Sequence, residues 1–557
     1  GSEHRGVYRL DPTTGEVRDF LHDPSDPFSL SDNEVYRIMM DRTGVIWIGT
    51  SNGANRLDSK AKQFHHVGNQ PGDSASLSHD CVWSIWEDRH GDVWAVTEAG
   101  LNILDTETGQ VRRISSDPDD PYKPSYDSFI ELFEDGDGRI WLGARDGALN
   151  RYEPNAKVYT RFPADPTSRR YPNDDRVFSI AADAEGNIWL GTMTGLERYD
   201  PVRDIFTSYV HDPENPMSIP EGSMRDIMLD DDGHLWMSVW GNGVIRLDPA
   251  TMEYAHFKHV VEDKRSLSSN VVLSVFQDSR HRIWVGTSSG LNLVDHQTGR
   301  CTWFNEKDGL PNNTIYRIEE GGSGALWVST NYGLARFNPD TGEVNTYLVR
   351  DGIQDNEFNM GASHLGRSGR MYFGGIGGFT AFYPDSIRHN PYSPEVVLTD
   401  FRLFNKPVPI GEMPDGRVVL AKSISETDRI ELSHTDHVIS FEFSVLHYAS
   451  PEKNQLAYML EGFETEWNMV GTRNHATYTN LPPGEYTFRV RGSNNDGVWN
   501  DEGASVVISV TPPIYRKAWF IGGVVFFLMG SVYGLHRYRM RLLSVKNRVL
   551  ERSVTER

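Results

Sequence analysis

A tryptophan returns about every 47 residues through the first two-thirds of the chain, at Trp47, Trp94, Trp141, Trp189, Trp236, Trp284 and Trp327, with Tyr372 at the eighth station. The spacings are 47, 47, 48, 47, 48, 43 and 45. The text around each station repeats as well: VIWIGTSNGANRLD, RIWLGARDGALNRY, NIWLGTMTGLERYD and RIWVGTSSGLNLVD are four examples. A fixed period of ~40–50 residues made of strand and turn residues marks a β-propeller, whose repeats cannot bury their faces alone. Residues 1–384 are therefore read as a binding platform.

One repeat shows the units. Residues 34–40 (EVYRIMM) alternate as a strand, and residues 41–44 (DRTG) form a tight turn with glycine supplying positive φ. Residues 45–50 carry the tryptophan, residues 54–58 make a third strand and residues 63–67 (QFHHV) a fourth. Four antiparallel strands make one blade. The repeated tryptophan, in a central strand, is expected to wedge between blades. The acids of the turns, Asp41, Asp88, Asp135, Asp183 and Asp230, recur with the period and read as structural.

The last repeat ends at 379–384 (FTAFYP) with only three strands, so its fourth must come from upstream. A seven-bladed ring would take QFHHV (63–67) and leave residues 1–60 over, as the remnant of a preceding propeller. An eight-bladed ring would take the stretch near residue 20 and make residues 1–60 its first blade. The opening GSEHRGVYRLDP aligns with GTSNGANRLD, so the chain is expected to begin inside a blade.

Loops that follow the tryptophan strand share one rim with the loops that enter each first strand, and such rims bind ligands. Most are short and bland. Three depart from the repeat: Arg145-Asp146, a forked cation beside a carboxylate; Trp240 and Asn242, in a loop one residue longer; and Asn331-Tyr332. Aromatic faces with amide and guanidinium donors suit sugar recognition, because CH faces stack while hydroxyls need hydrogen-bonding partners. These six residues are the candidate ligand contacts.

The rhythm changes after 385. Stretches at 395–401, 437–448, 455–461, 476–481, 485–494 and 505–511 read as strands at the spacing of a fibronectin-like β-sandwich filling 385–513. Residues 518–535 (AWFIGGVVFFLMGSVYGL) then carry no charge and no proline. Trp519 and Tyr533 stand near the ends of this stretch, and Arg537, Arg539, Arg541, Lys546 and Arg548 follow. That pattern predicts one transmembrane helix over 516–536 with the C-terminus in the cytoplasm, and a short cytoplasmic helix over 537–557. Leu542, Val545 and Val549 keep a coiled-coil spacing there.

The net charge of −23 argues against a nucleic-acid partner, which needs a basic face. Only Cys81 and Cys301 occur, in different repeats and without CxxC, which excludes a disulfide framework and a cysteine-based zinc site. No metal or other cofactor is expected. A lyase or glycosidase would need converging carboxylates, whereas the acids here are periodic turn residues, so no catalytic residue is expected within the chain.

With these residues in view, the chain resembles the sensor half of propeller-type two-component receptors. W-x-G-T-x-x-G-L resembles their two-component regulator propeller repeat, and DGLPNNTI (308–315), MYFGGIGGFTAFYP (371–384) and VVLTDFRLFN (396–405) resemble the propeller's end and exit. LEGFETEW (460–467) and TYTNLPPGEYTFRVRGSNNDGVW (477–499) resemble the Tyr-Tyr-Tyr domain. The resemblance implies seven blades, a periplasmic propeller and sandwich, a single span of the bacterial inner membrane, a small-molecule or oligosaccharide ligand, and a homodimer through sandwich and linker helix. It implies a histidine kinase as output; the same sensor feeding a diguanylate cyclase is the alternative.

Overall fold

The computed structural model describes residues 5–555, except 13, 14, 16, 25–28, 59–62, 148, 216 and 389. The opening residues 1–4, aligned above to the middle of a blade, and residues 556–557 of the linker helix lie outside the described residues. The chain divides into two compact units, residues 61–388 and residues 1–60 with 389–557.

Among the described residues, the first of these units holds seven four-stranded antiparallel sheets. Their first strands are Val82–Glu87, Phe129–Glu134, Val177–Ala182, Met224–Leu229, Val272–Gln277, Ile315–Glu320 and Phe358–Leu365. First strands of neighbouring sheets touch all the way round, so they form the inner ring of a propeller. The last sheet is completed by His65–Val67, with His65 opposite Ala381 and Val67 opposite Phe379. The ring thus has seven blades and closes on its own N-terminal strand. The stretch that an eighth blade would need, Val17–Phe20, pairs with Val7–Leu10 instead.

The period of the tryptophan is explained by one hydrogen bond. In six repeats the indole Nε1–H donates to the carboxylate of the aspartate six residues before it: Trp47 to Asp41, Trp94 to Asp88, Trp141 to Asp135, Trp189 to Asp183, Trp236 to Asp230 and Trp284 to Asp278, at 2.8–2.9 Å. The other oxygen of the same aspartate takes the amides of its turn; Asp278 accepts from Arg280 and Arg282 N–H at 3.0 and 2.9 Å. One carboxylate therefore closes the hairpin and orients the buried ring. Burial by itself would raise the acid of Asp278, but the Trp284 indole and the Arg282 donors outweigh it and hold the carboxyl below its ordinary range.

The glycine after the tryptophan has a separate cause. A Cβ at Gly143 would stand 2.7 Å from the Val177 carbonyl oxygen of the next blade, and one at Gly191 2.6 Å from that of Met224. Backbones of adjacent blades approach too closely there for any side chain.

In the second unit, residues 35–58 form a three-stranded sheet, Val35–Met40, Val45–Thr50 and Gly53–Asp58. Trp47 meets Tyr448 edge to face at 5.8 Å, and Arg56 Nη1 donates to the Tyr448 carbonyl at 2.6 Å. Residues from 396 to 511 build a sandwich of a four-stranded and a five-stranded sheet around one core with Phe401, Phe441, Phe443, Leu460, Phe488 and Ile508. Phe441 and Phe488 stack across it at 4.2 Å. Three strands are added to those read from sequence, Arg429–Ser433, Asn468–Gly471 and the two-residue edge strand Lys406–Pro407. The first pairs in parallel with Trp499–Thr511, an arrangement that local alternation does not reveal.

A single helix, Ala518–Thr555, ends the described chain. At 38 residues it is about 57 Å long, nearly twice the hydrocarbon thickness of a bilayer. It begins two residues after the expected 516, behind a one-turn 3₁₀ segment, Ile514–Arg516. It runs on without a break where the span and the linker helix were read as successive elements, because no glycine or proline follows Gly534. By length and composition, its apolar part can cross a membrane.

Candidate functional site

In the seventh blade the register slips between Phe358 and Ser363, and the other six first strands share one irregularity. In those six the register with the neighbouring strand slips between the first and third residues, as at Val82/Ser84, Phe129/Glu131, Met224/Asp226 and Ile315/Arg317. A bulge of this kind re-aims side chains. Here it turns residues of the second and third stations toward the ring's axis, and these line two cavities. The cavity at the rim measures about 440 Å³ and the deeper one about 330 Å³; Glu131 and Arg317 border both.

The rim cavity is walled by rings and guanidiniums. Arg145 lies over Trp83 at 4.8 Å, and Glu98 joins the pair, taking the Trp83 indole N–H at 2.7 Å and standing 3.7 Å from Arg145 Nη1. Arg225 lies 3.9 Å above Phe178 and 5.1 Å from the half-exposed ring of Trp240, while its Nε donates to Ser223 Oγ at 3.0 Å. Burial, and then the neighbouring Arg176, lower the pKa of Arg225, which stays charged at neutral pH.

Below the rim, three unlike side chains take the third station where three of the other four blades have Ser84, Ser179 and Ser274. Arg317 Nη1 donates to Asp226 Oδ1 at 2.7 Å, and Asp226 Oδ2 accepts the Val275 N–H at 2.7 Å. Arg317 Nε is buried with no hydrogen-bond partner. Glu131 is pushed up to about 8, mainly by burial; Arg317 opposes that rise and Asp226 adds to it. Glu131 is therefore mostly neutral at pH 7. Further in, Glu319 is raised by burial despite a 2.7 Å hydrogen bond from Ser363, and His364 stacks on Trp86 at 4.2 Å. Burial pushes the His364 imidazole down to about 4.

The six residues read from sequence fall in different places. Arg145 and Asp146 line the rim cavity, and Trp240 meets it through Arg225. Asn242 braces its own loop, its amide donating to the Glu221 carbonyl at 3.0 Å and its carbonyl accepting from His256. Asn331 accepts the Tyr316 hydroxyl at 2.8 Å, and Tyr332 is 53% exposed; neither borders the cavity. The sequence reading passed over Trp83, Glu131, Arg176, Phe178, Arg225 and Arg317. For Glu131, Arg317 and Arg225, which adjoins Asp226, the signal lies in the first strands: set beside VWSIW, VFSIA and VLSVF, the stretches FIELF, MRDIM and IYRIE break the serine column.

Residues 447–511 match the Y_Y_Y domain, and residues 29–52, 171–194, 266–289 and 309–332 match the Two component regulator propeller repeat. The extracellular domain of a protein described as a hybrid two component system, BT3049 of B. thetaiotaomicron, superposes with a TM-score of 0.74 at 26% identity, covering 92% of this chain and 66% of that one. Histidine kinase P4 of Formosa agariphila is 29% identical over 263 residues, which are 47% of this chain and 16% of that protein. The chain spans only a small part of that kinase and about two-thirds of the crystallised domain. It carries the parts of a two-component sensor region: propeller, Y_Y_Y domain and one helix fit to span a membrane.

Proposed function

We propose that this chain is the ligand-sensing and signal-passing region of a bacterial membrane receptor whose output is a histidine kinase of a two-component system. The reading is carried by the succession, in one chain, of two-component regulator propeller repeats, a Y_Y_Y domain ending at 511 and a span-length helix beginning at 518. The propeller and sandwich face the periplasm, and the basic residues after Leu535 keep the helix's C-terminal end in the cytoplasm. The ligand is a small molecule, an oligosaccharide by the chemistry of the rim, where the rings of Trp83, Phe178 and Trp240 carry arginines that offer forked donors. Among the described residues one helix is long and apolar enough to span a membrane, and such a span passes a signal most directly as a change between two copies of the chain.

Calorimetry of the full chain in nanodiscs against oligosaccharide pools tests the site. Trp240→Ala is expected to weaken binding by about tenfold or more. A flexible Gly-Ser insertion after Pro513 is expected to leave that affinity intact while abolishing the kinase response of the whole receptor. Unchanged affinity in Trp240→Ala would remove the rim as the site, and signalling that survives the insertion would remove rigid coupling between copies.

A further inference from the structure

The chain as a whole is acidic, with a net charge of −23, yet the rim cavity is lined by Arg145, Arg176, Arg225 and Arg317 against only Glu131 and Asp146. Three of these arginines have a carboxylate: Arg145 has Glu98 at 3.7 Å, Arg176 has Asp175 at 3.6 Å, and Arg317 has Asp226 at 2.7 Å. Arg225 has none among the described residues. Its only polar partner there is the Ser223 hydroxyl, and its flat faces lie against Phe178 and Trp240. A half-buried guanidinium without a counter-ion carries a desolvation cost that stacking only partly offsets. The cost is removed when an anion completes the fork.

We infer that the rim cavity takes an oxyanion on a small acidic saccharide, held by the edge of Arg225 with Arg145 and Arg176 flanking it. This rests on the reading of the rim as the ligand site and narrows it. A neutral sugar would stack on a free ring face, but a guanidinium covers one face of Phe178 at 3.9 Å and one of Trp83 at 4.8 Å, and both arginines line the cavity. The bridges of Arg145 and Arg176, at 3.7 and 3.6 Å and half-exposed, are long enough for either side chain to swing onto a ligand. Glu131, neutral at pH 7, does not oppose an anion from below. Carboxylate and sulfate share this chemistry, and a planar carboxylate matches the guanidinium fork with two parallel hydrogen bonds.

The test is calorimetry of the full chain with three pools of matched length: uronate-containing, sulfated and neutral oligosaccharides. At least one acidic pool is expected to bind, and binding by one and not the other identifies the oxyanion. Affinity should fall by about tenfold or more in Arg225→Gln and weaken as salt rises from about 0.05 to 0.5 M. Arg225→Lys should recover little of it, since a point charge cannot replace the fork. Arg176→Gln, at a half-exposed residue, serves as a second variant should Arg225→Gln unfold, as read by melting temperature. Neutral oligosaccharides that bind as tightly, and are lost in Trp240→Ala, would overturn the acidic inference and leave the rim as the site. Binding indifferent to Arg225→Gln, Arg176→Gln and Trp240→Ala would overturn both, and no binding by either acidic pool would overturn the inference.

Discussion

Replacing Arg317 by methionine is expected to destabilise the propeller by about 3–5 kcal/mol, one of the two largest effects foreseen for a single substitution in this chain. The reason is asymmetric burial. The Arg317 guanidinium is buried with Asp226 at 2.7 Å, and removing it leaves that carboxylate uncompensated beside Glu131. Denaturant unfolding of the full chain measures the loss, and pairing Arg317→Met with Asp226→Asn should recover much of it. Glu131 gives the same cluster a pH signature. Its folded-state pKa, about 8, lies above the unfolded value of 4.5, so the folded chain holds the extra proton between those limits. Stability from this group is therefore full below about pH 4.5 and declines as pH rises toward 8. Glu131→Gln should equal the wild type below about pH 4 and exceed it by about 2–4 kcal/mol at pH 9. A parallel pH profile in the two proteins would mean that Glu131 is ionised throughout.

Tyr372→Ala is expected to cost about 3–5 kcal/mol and to act at the seam of the ring. Tyr372 replaces the tryptophan of the earlier blades and is fully buried. Its hydroxyl does not bond to an aspartate of its own hairpin; it donates to Glu87 Oε2 at 2.8 Å, in the first strand of blade 1. Glu87 also takes the Ser368 N–H and hydroxyl at 2.9 and 2.7 Å. The last blade is thus fastened to the first by its buried tyrosine as well as by His65–Val67. Tyr372→Phe keeps the ring and removes one donor from a buried carboxylate, for a smaller loss of about 1–3 kcal/mol. Equal losses for alanine and phenylalanine would show that the hydrogen bond, and not the packing, holds the seam.

The architecture was legible because its causes are local and repeated. The tryptophan, the turn aspartate six residues before it and the glycine after it recur together, since one hydrogen bond and one close backbone approach recur with them. The missing fourth strand of the last repeat was legible too, but choosing between residues 63–67 and the stretch near residue 20 needed pairing across more than 300 residues, which no local pattern encodes. Three sandwich strands go unread: Arg429–Ser433 because its parallel partner lies far along the chain, and Lys406–Pro407 and Asn468–Gly471 because each is too short to show an alternation. Around the cavity, reading for loops that depart from the repeat reaches Arg145 and Asp146, which line it, and Trp240, which lies against Arg225. It also draws in Asn242 and Asn331, whose polar groups brace the structure around them. Arg225, Glu131 and Arg317 went unseen because they sit in strands, where alternation suggests core; the bulge that turns them to the axis is a feature of pairing, not of composition.

Under the proposed function the ligand is read at the mouth of the seven-bladed ring. Hydrogen exchange of the full chain in nanodiscs, with and without a saturating acidic oligosaccharide, tests it most directly. Slowed exchange is expected only in residues 143–147, 174–178, 223–226 and 239–242, which surround Arg145, Arg176, Arg225 and Trp240. Protection that appears instead in residues 30–58 or 396–511, with those four segments unchanged, would contradict it.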